Sequence, residues 1–174
     1  QNNSVLLWDV GIAPGLSNML VKISEEEIGS LDKVHIKVGG NPSNPDSEWS
    51  YMAPFSPSDV IEEYTRPARI IESGDIITVP ALSERHLIDV EYHGEMEAFL
   101  TDGLRSILTT ISASEMKEYT VRWPGHIDKW INEGKDMDEF ELLEQWKFDS
   151  KKSEFTWLEV MTSNSDEKIR WMVY

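Results

Sequence analysis

The stretch MEAFLTDGLRSIL, residues 96–108, decides how the chain is read. It begins as an apolar run and ends in an apolar run. Between them stand Glu97, Thr101, Asp102, Gly103 and Arg105. Leu104, Ile107, Leu108 and Ile111 recur at the spacing of one helix face, which predicts a helix over residues 101–111. Thr101 or Asp102 would cap it. The apolar residues before Thr101 read as the end of a strand. A strand handing over to a helix through polar side chains is where mixed sheets place ligands. Those polar groups therefore have two readings: an ordinary helix start, or the wall of a site for a charged small molecule.

Working outward, strands outnumber helices. Val34, Ile36 and Val38 alternate with Lys33, His35 and Lys37, the period-two pattern of a half-exposed strand. Residues 68–80 read as two strands around Ser73-Gly74. Residues 87–92 and 117–123 are further strands, and EFTWLEVMT and EKIRWMVY form a terminal hairpin around SNSD. The apolar run of residues 4–10 reads as a buried strand, followed by a Gly-Pro-Gly turn. A short helix then starts near Pro14, with Leu16, Met19, Leu20 and Ile23 at helical spacing. Residues 39–48, GGNPSNPDSE, read as a loop. Ser56, Pro57 and Asp59 mark a helix start running to about Thr65, in a capping-box variant. Residues 125–133 form a helix closed by Gly134, and residues 137–146 form a short acidic one. The pattern predicts one α+β domain: a mixed, largely antiparallel sheet with helices on one face.

Composition narrows the functions. The net charge of −16 argues against nucleic acid and against an anionic membrane surface. No apolar run approaches the roughly 18 residues of a membrane span, and no signal peptide is visible. The chain has no cysteine, which removes thiol chemistry and zinc-thiolate sites. The four histidines, His35, His86, His93 and His126, show no metal-ligand spacing, so no metal site is expected. Neither G-x-G-x-x-G nor a Walker loop nor G-x-S-x-G occurs, so the chain carries no nucleotide fingerprint of its own.

Three clusters remain. Residues 9–15, DVGIAPG, sit where a strand turns into a helix, and their backbone N–H groups are placed to receive an anion. Residues 97–105 are the second cluster. The third is TVRWPGHI, residues 120–127, where Arg122 ends a strand before a Pro-Gly turn. Two arginines with several carboxylates suit a zwitterion. A guanidinium grips a carboxylate through two parallel bonds, and Asp or Glu receives an ammonium.

Five motifs, DVGIAPGLSNML, VGGNP, EEYTRPARIIESGDIITVPAL, GEMEAFLTDGLRSILTT and TVRWPGHI, occur in an order and spacing that resemble the saccharopine dehydrogenase-like family, lysine 6-dehydrogenases included. The resemblance covers about residues 5–130 and is looser beyond, chiefly in EFTWLEV. It implies the substrate-binding and dimerisation domain of an NAD(P)-dependent oxidoreductase. That domain has a fold like the C-terminal domain of glyceraldehyde-3-phosphate dehydrogenase, and such enzymes act on the C–N bond of lysine, saccharopine or a related amino acid. The resemblance also implies an excised domain: a Rossmann unit precedes it in the parent, a return segment follows it, and a chain beginning at Gln1 fits that expectation. NAD or NADP then binds in the parent and not to this domain alone.

By the same resemblance Arg122 is directed to a substrate carboxylate. Asp102, Glu97, Arg105, Thr101 and His126 belong to the substrate pocket. Asp9, Gly11, Pro14 and Gly15 form the turn near the cofactor. Trp123 stands where Tyr is commoner, and Asn41 where an apolar residue often precedes Pro42. The family reading implies a cytoplasmic homodimer, paired through a sheet face and the aromatic terminal hairpin. Two other functions stay open: a non-catalytic oligomerisation or ligand-sensing domain of the same fold, and a secreted sugar- or peptide-binding domain, suggested by Gln1 and seven Trp.

Overall fold

The computed structural model describes residues 4–45, 48–53 and 55–174. In chain order the elements are α1 (Leu16–Ile28), β1 (Lys33–Pro42), α2 (Pro57–Thr65), β2 (Ala68–Glu72), β3 (Asp75–Val79), β4 (His86–Val90), β5 (Gly94–Leu100), α3 (Ile107–Thr110), β6 (Glu115–Arg122), α4 (His126–Asn132), α5 (Glu139–Gln145), β7 (Glu154–Ser163) and β8 (Lys168–Val173). A 3-10 turn, Gly134–Asp136, joins α4 to α5. The fold is α+β, as the pattern of strands and helices required.

The eight strands among the described residues form one sheet, with β3-β2-β6-β1-β7-β8 along its main path. The centre is the pair β1 and β6, which run parallel with Val34 beside Met116 and Val38 beside Thr120. The other pairings are antiparallel. The sheet forks at β6: its start pairs with β2 and its end with β5, which carries β4.

Residues opposite one another in register share a face. On one face lie Val34, Ile36, Met116, Leu158 and Val160, covered by Leu20 and Val21 of α1 and by Leu104, Ile107, Leu108 and Ile111. Phe99 lies further along the same face, under Val60 and Tyr64 of α2, Ile127 and Trp130 of α4 and Leu142 of α5. The other face holds Ala68, Ile70, Met96, Ala98, Leu100, Tyr119, Val121 and Trp157, a cluster built from strands and the adjoining Trp123 with no helix residue in it. The helices therefore pack on one face. The seam between the two helix-covered clusters is polar: Glu118, Thr120 and Arg122 alternate along β6 there.

Several local expectations need correction. Residues 4–10 are not a buried strand. They have no regular structure, and Val5, Leu6, Leu7 and Trp8 are 70–88 % exposed, because no described strand pairs with them. In α1, Leu20 is buried as expected, but Met19 and Ile23 are largely exposed, and Ser17, Val21 and Ser24 take the inner face. β1 runs on to Pro42, so the expected loop starts later; its Asp46 and Ser47 lie outside the described residues. Ser56 does not cap α2 through its side chain, which pairs with the Ser58 hydroxyl instead. Gly134 does not close α4 with a left-handed cap. It lies where a Cβ would meet Trp49 and Trp130.

The expected helix over residues 101–111 shrinks to the four residues of α3, although Leu104, Ile107, Leu108 and Ile111 are all buried. Two long-range contacts unwind its first half. Asp102 is drawn to Arg69, and Gly103 lies so close to the Glu118 carboxyl that a Cβ would overlap it. In the terminal hairpin Trp157 is buried, and Trp171 packs on α1 and donates to Ser24 Oγ. Much of the aromatic surface expected to be free is covered within the chain.

Candidate functional site

A cleft of ≈ 310 Å³ opens on the polar seam. Its floor is Val38, Gly39 and Gly40 of β1 with Glu118, Thr120 and Arg122 of β6. One wall is the 101–105 segment; the other is α2, through Asp59, Glu62, Glu63 and Arg66, and Ala13 and Pro14 form a lip. Gly39 leaves room here: a Cβ would run into the Val121 carbonyl across the sheet.

Arg122 is buried at the floor. Its Nε donates to Tyr64 Oη at 2.8 Å, Nη1 to the Val121 carbonyl at 3.0 Å and Nη2 to Glu63 Oε2 at 3.3 Å. Its guanidinium carbon stands 4.7 Å from the centre of the Tyr51 ring. These bonds use three of five N–H donors.

Behind it, His126 is buried outside the cleft. Burial first, and then the Arg122 charge, push its pKa down to about 3, so the ring is neutral. Nδ1 must carry the proton, because it faces the Trp49 carbonyl at 2.9 Å. Nε2 then accepts from Tyr64 Oη at 2.9 Å, which leaves the Tyr64 oxygen to receive Arg122 Nε. The direction of every bond in this chain is thereby set, and His126 holds Arg122 in place through Tyr64.

Asp102 is also buried, at the opposite wall. Its carboxylate accepts from Arg69 Nε and Nη2, both at 2.9 Å, and from the Arg69 backbone N–H at 3.1 Å. Arg66 Nε lies 3.3 Å away, and Arg105 Nη1 is the loosest partner at 3.9 Å. Burial works to raise the Asp102 pKa, but the Arg69 bonds and charges hold it below the usual value. Arg105 occupies the left-handed region at φ 50°, a strained place for a side chain of its size. With Asp102 saturated by Arg69, Arg105 is a half-exposed cation on the 101–105 wall, across from Asp59, Glu62 and Glu63, and half-exposed Arg66 at the end of α2 lies 3.3 Å from Asp102 and 3.4 Å from Glu62.

Glu118 is the second buried carboxyl lining the cleft, and sequence reasoning passed over it. Thr101 Oγ1 is 2.5 Å from its Oε2, and the Gly103 backbone N–H also bonds to it. Burial raises its pKa to about 8, with the Glu63 charge adding to the effect. Thr120, Glu63, Tyr64, Arg66 and Arg69 were missed as well. The signal for the β6 residues was available: Glu118, Thr120 and Arg122 follow the same period of two that marked the strand. The partners on α2 and β2 carry no local signal.

The other expected residues divide. Thr101, Asp102, Arg105, Arg122 and Pro14 line the cleft. Glu97 does not; it shares a sheet face with Arg122 but pairs with Arg85 at 2.6 Å. Asp9 accepts the Ser106 backbone N–H, tying the turn to the 101–106 segment. The anion role expected for the 9–15 turn meets an obstacle. Gly11 N donates to the Pro14 carbonyl, Leu16 N to Gly11 and Ser17 N to Ile12, so these N–H groups are already used. Among the described residues no group of three His, Asp or Glu side chains is placed to hold a metal.

The architecture is thus an α+β domain with a doubly charged cleft on the helix-covered side of a mixed sheet. The chain belongs to the saccharopine dehydrogenase C-terminal domain family, whose profile matches residues 11–171. The fold is similar to that of apo histidine-tagged saccharopine dehydrogenase (L-Glu forming) from Saccharomyces cerevisiae, with a TM-score of 0.66 and 10 % identity. The match covers 92 % of this chain and 58 % of that one, so the chain spans little more than half the length of that protein. No helix among the described residues is long and apolar enough to cross a membrane.

Proposed function

We propose that this chain is the substrate-facing domain of a longer NAD(P)-dependent oxidoreductase that acts on the C–N bond of lysine, saccharopine or a related amino acid. The observation that carries this reading is the charge layout of the cleft: Arg105 on the 101–105 wall, Asp59, Glu62 and Glu63 on the α2 wall, and Arg66 at the end of α2 between Glu62 and Asp102. A ligand with separated carboxylate and ammonium groups meets both. Arg105 and Arg66 receive a carboxylate at the mouth, and the two remaining N–H groups of Arg122 receive one at the floor. Glu63 faces the ligand nitrogen.

The cofactor, when bound, takes the hydride. This chain supplies no strand-turn-helix cradle for it, and we assign that task to a nucleotide-binding unit of the parent, seated at the Pro14 lip. The exposed apolar run of residues 5–8 gives such a unit a surface to cover. The same reading includes a cytoplasmic home and a homodimer through the helix-free face. Light scattering that shows only the monomer mass at tens of micromolar chain would exclude the dimer.

The test of substrate binding is an amide-shift titration of the chain with saccharopine, lysine and glutamate. Saturable shifts at Gly103, Arg105 and Glu63, weakened about 10-fold in Arg105→Ala, support the assignment. Absence of any shift at these positions at millimolar ligand overturns it.

A further inference from the structure

Three short contacts connect two carboxyl groups across the cleft floor. Thr101 Oγ1 lies 2.5 Å from Glu118 Oε2, Thr101 Oγ1 lies 2.8 Å from Thr120 Oγ1, and Thr120 Oγ1 lies 2.6 Å from Glu63 Oε1. All three are hydrogen-bond distances between oxygens. Each contact needs one hydrogen, yet the two threonines bring only two. With both glutamates ionised, one contact would set lone pair against lone pair in a buried place. A third proton must therefore sit on a carboxyl group.

We propose that Glu118, Thr101, Thr120 and Glu63 form a proton relay that holds one proton between two carboxyl groups and opens on the cleft through Glu63.

The relay has two forms that differ by a concerted shift. In the resting form Glu118 carries the proton and donates to Thr101, Thr101 donates to Thr120, and Thr120 donates to the Glu63 carboxylate. In the other form Glu63 carries it and every bond points the opposite way: Glu63 to Thr120, Thr120 to Thr101, Thr101 to the Glu118 carboxylate. Burial favours the resting form, because Glu118 is shut away from water while Glu63 keeps 24 % of its side chain exposed. The raised pKa of Glu118 agrees with that order. Arg122 is the charged group in contact with the relay: its Nη2 binds the far oxygen of Glu63, and its charge, like the Gly103 N–H bond, pulls the Glu118 pKa down against burial. Asp59, Glu62, Arg66, Asp102 and Arg105 line the cleft around it. Gly103 is required for the Glu118 carboxyl to sit where it does, since a Cβ there would occupy its place.

This inference rests on the proposed function for its ligand, a basic nitrogen facing Glu63. In one concerted shift Glu118 gives its proton to Thr101, Thr101 passes its own to Thr120 and Thr120 passes its own to Glu63 Oε1, and the nitrogen takes that proton from Glu63 with its own electron pair. One proton leaves, both glutamates are left as carboxylates with that of Glu63 against the new ammonium, and no electron changes hands. The reverse shift restores the resting form when the ligand gives the proton back. Glu63 is the catalytic residue of the set; Thr101, Thr120 and Glu118 act through it.

The test is a pH titration of the chain with carboxyl-labelled glutamate, followed by carbon NMR. One carboxyl resonance, absent from Glu118→Gln, is expected to stay protonated at neutral pH and to lose its proton near pH 8, the Glu63 resonance moving with it. Thr120→Val keeps the shape and removes the hydroxyl, so the Glu63 response should vanish while Glu118 still titrates. In the full-length oxidoreductase the same variant should lower kcat about 10- to 100-fold, flatten the alkaline limb of the kcat profile and leave the amino-acid KM nearly unchanged. Fully ionised glutamates at neutral pH overturn the relay, as does a Glu118 titration that Glu63 ignores. A coupled titration with an unaltered kcat in Thr120→Val overturns the delivery step. A coupled titration in a parent without amino-acid oxidoreductase activity supports the relay and refutes the proposed function.

Discussion

Asp102 and Glu118 are both buried and both line one cleft, yet they are pushed in opposite directions. Asp102 is kept ionised by three arginines, with Arg69 nearest. Glu118 has a hydroxyl and a backbone N–H for partners and is held in its protonated form up to about pH 8. Burial alone raises a carboxylic acid; only adjacent cations reverse the sign. One cleft thus contains a permanent anion that organises arginines and a neutral acid able to give up a proton. The first shapes the site electrostatically and the second is available for chemistry.

The largest effect expected from this contrast is the pH dependence of stability. Burial takes the Glu118 carboxyl from an ordinary pKa of 4.5 to about 8 on folding. The folded state then binds the extra proton, so its stabilising effect is complete below pH 4.5 and is lost as pH rises through about 8. By pH 9 the loss approaches ~5 kcal/mol as an upper bound. Denaturant unfolding at several pH values should show this decline in the wild type and not in Glu118→Gln. A wild-type profile flat from pH 5 to 9 would remove the contrast altogether.

On the other side, Asp102→Ala leaves Arg69 and its backbone N–H without their acceptor. The cost should be about 3 kcal/mol, the low end for a buried pair because the Arg69 side chain is 44 % exposed and can rehydrate. The wild type should also lose stability as pH falls below 3.8, since the folded Asp102 pKa is lowered. His126 adds to that acid loss: it is neutral in the fold to about pH 3 and must charge on unfolding below 6.5. An Asp102→Ala protein as stable as the wild type would show that the arginines need no common anion.

Arg122→Lys is next. A lysine keeps the charge but cannot serve Tyr64, the Val121 carbonyl and Glu63 together. A stability loss of about 2 kcal/mol in denaturant unfolding is expected, and, if the parent is the oxidoreductase proposed above, kcat/KM there should be lower by about 10-fold or more on lysine or saccharopine. Kinetic loss without loss of stability would assign Arg122 to the ligand alone. The smallest effect is at the exposed run: Trp8→Ser should change the stability of the chain by less than about 0.5 kcal/mol. A larger change would mean that residues 4–10 pack in solution.

These predictions separate what is local from what is not. The period-two pattern at Val34, Ile36 and Val38, the Ser73-Gly74 turn and the terminal hairpin were legible because strand and turn signals reside in adjacent residues. The burial of Leu104, Ile107, Leu108 and Ile111 was legible as a stripe. Thr101, Asp102, Arg105 and Arg122 could be picked out as polar groups at strand ends, and they do line the cleft.

Burial and partners were not legible, because they depend on contacts far apart in the chain. The 101–111 helix lost its first half to Arg69 and Glu118, and the apolar 4–10 run found no strand to pair with. The sequence by itself determined which residues alternate, turn and carry charge, since backbone stereochemistry and side-chain spacing act over a few residues. Only the tertiary structure decided that Asp102 meets arginines while Glu118 meets the Thr101 hydroxyl and the Gly103 N–H. A carboxyl group's ionisation depends on what lies within a few ångströms in space, and those neighbours come from α2, β2 and the 101–105 segment, brought together only when the sheet closes.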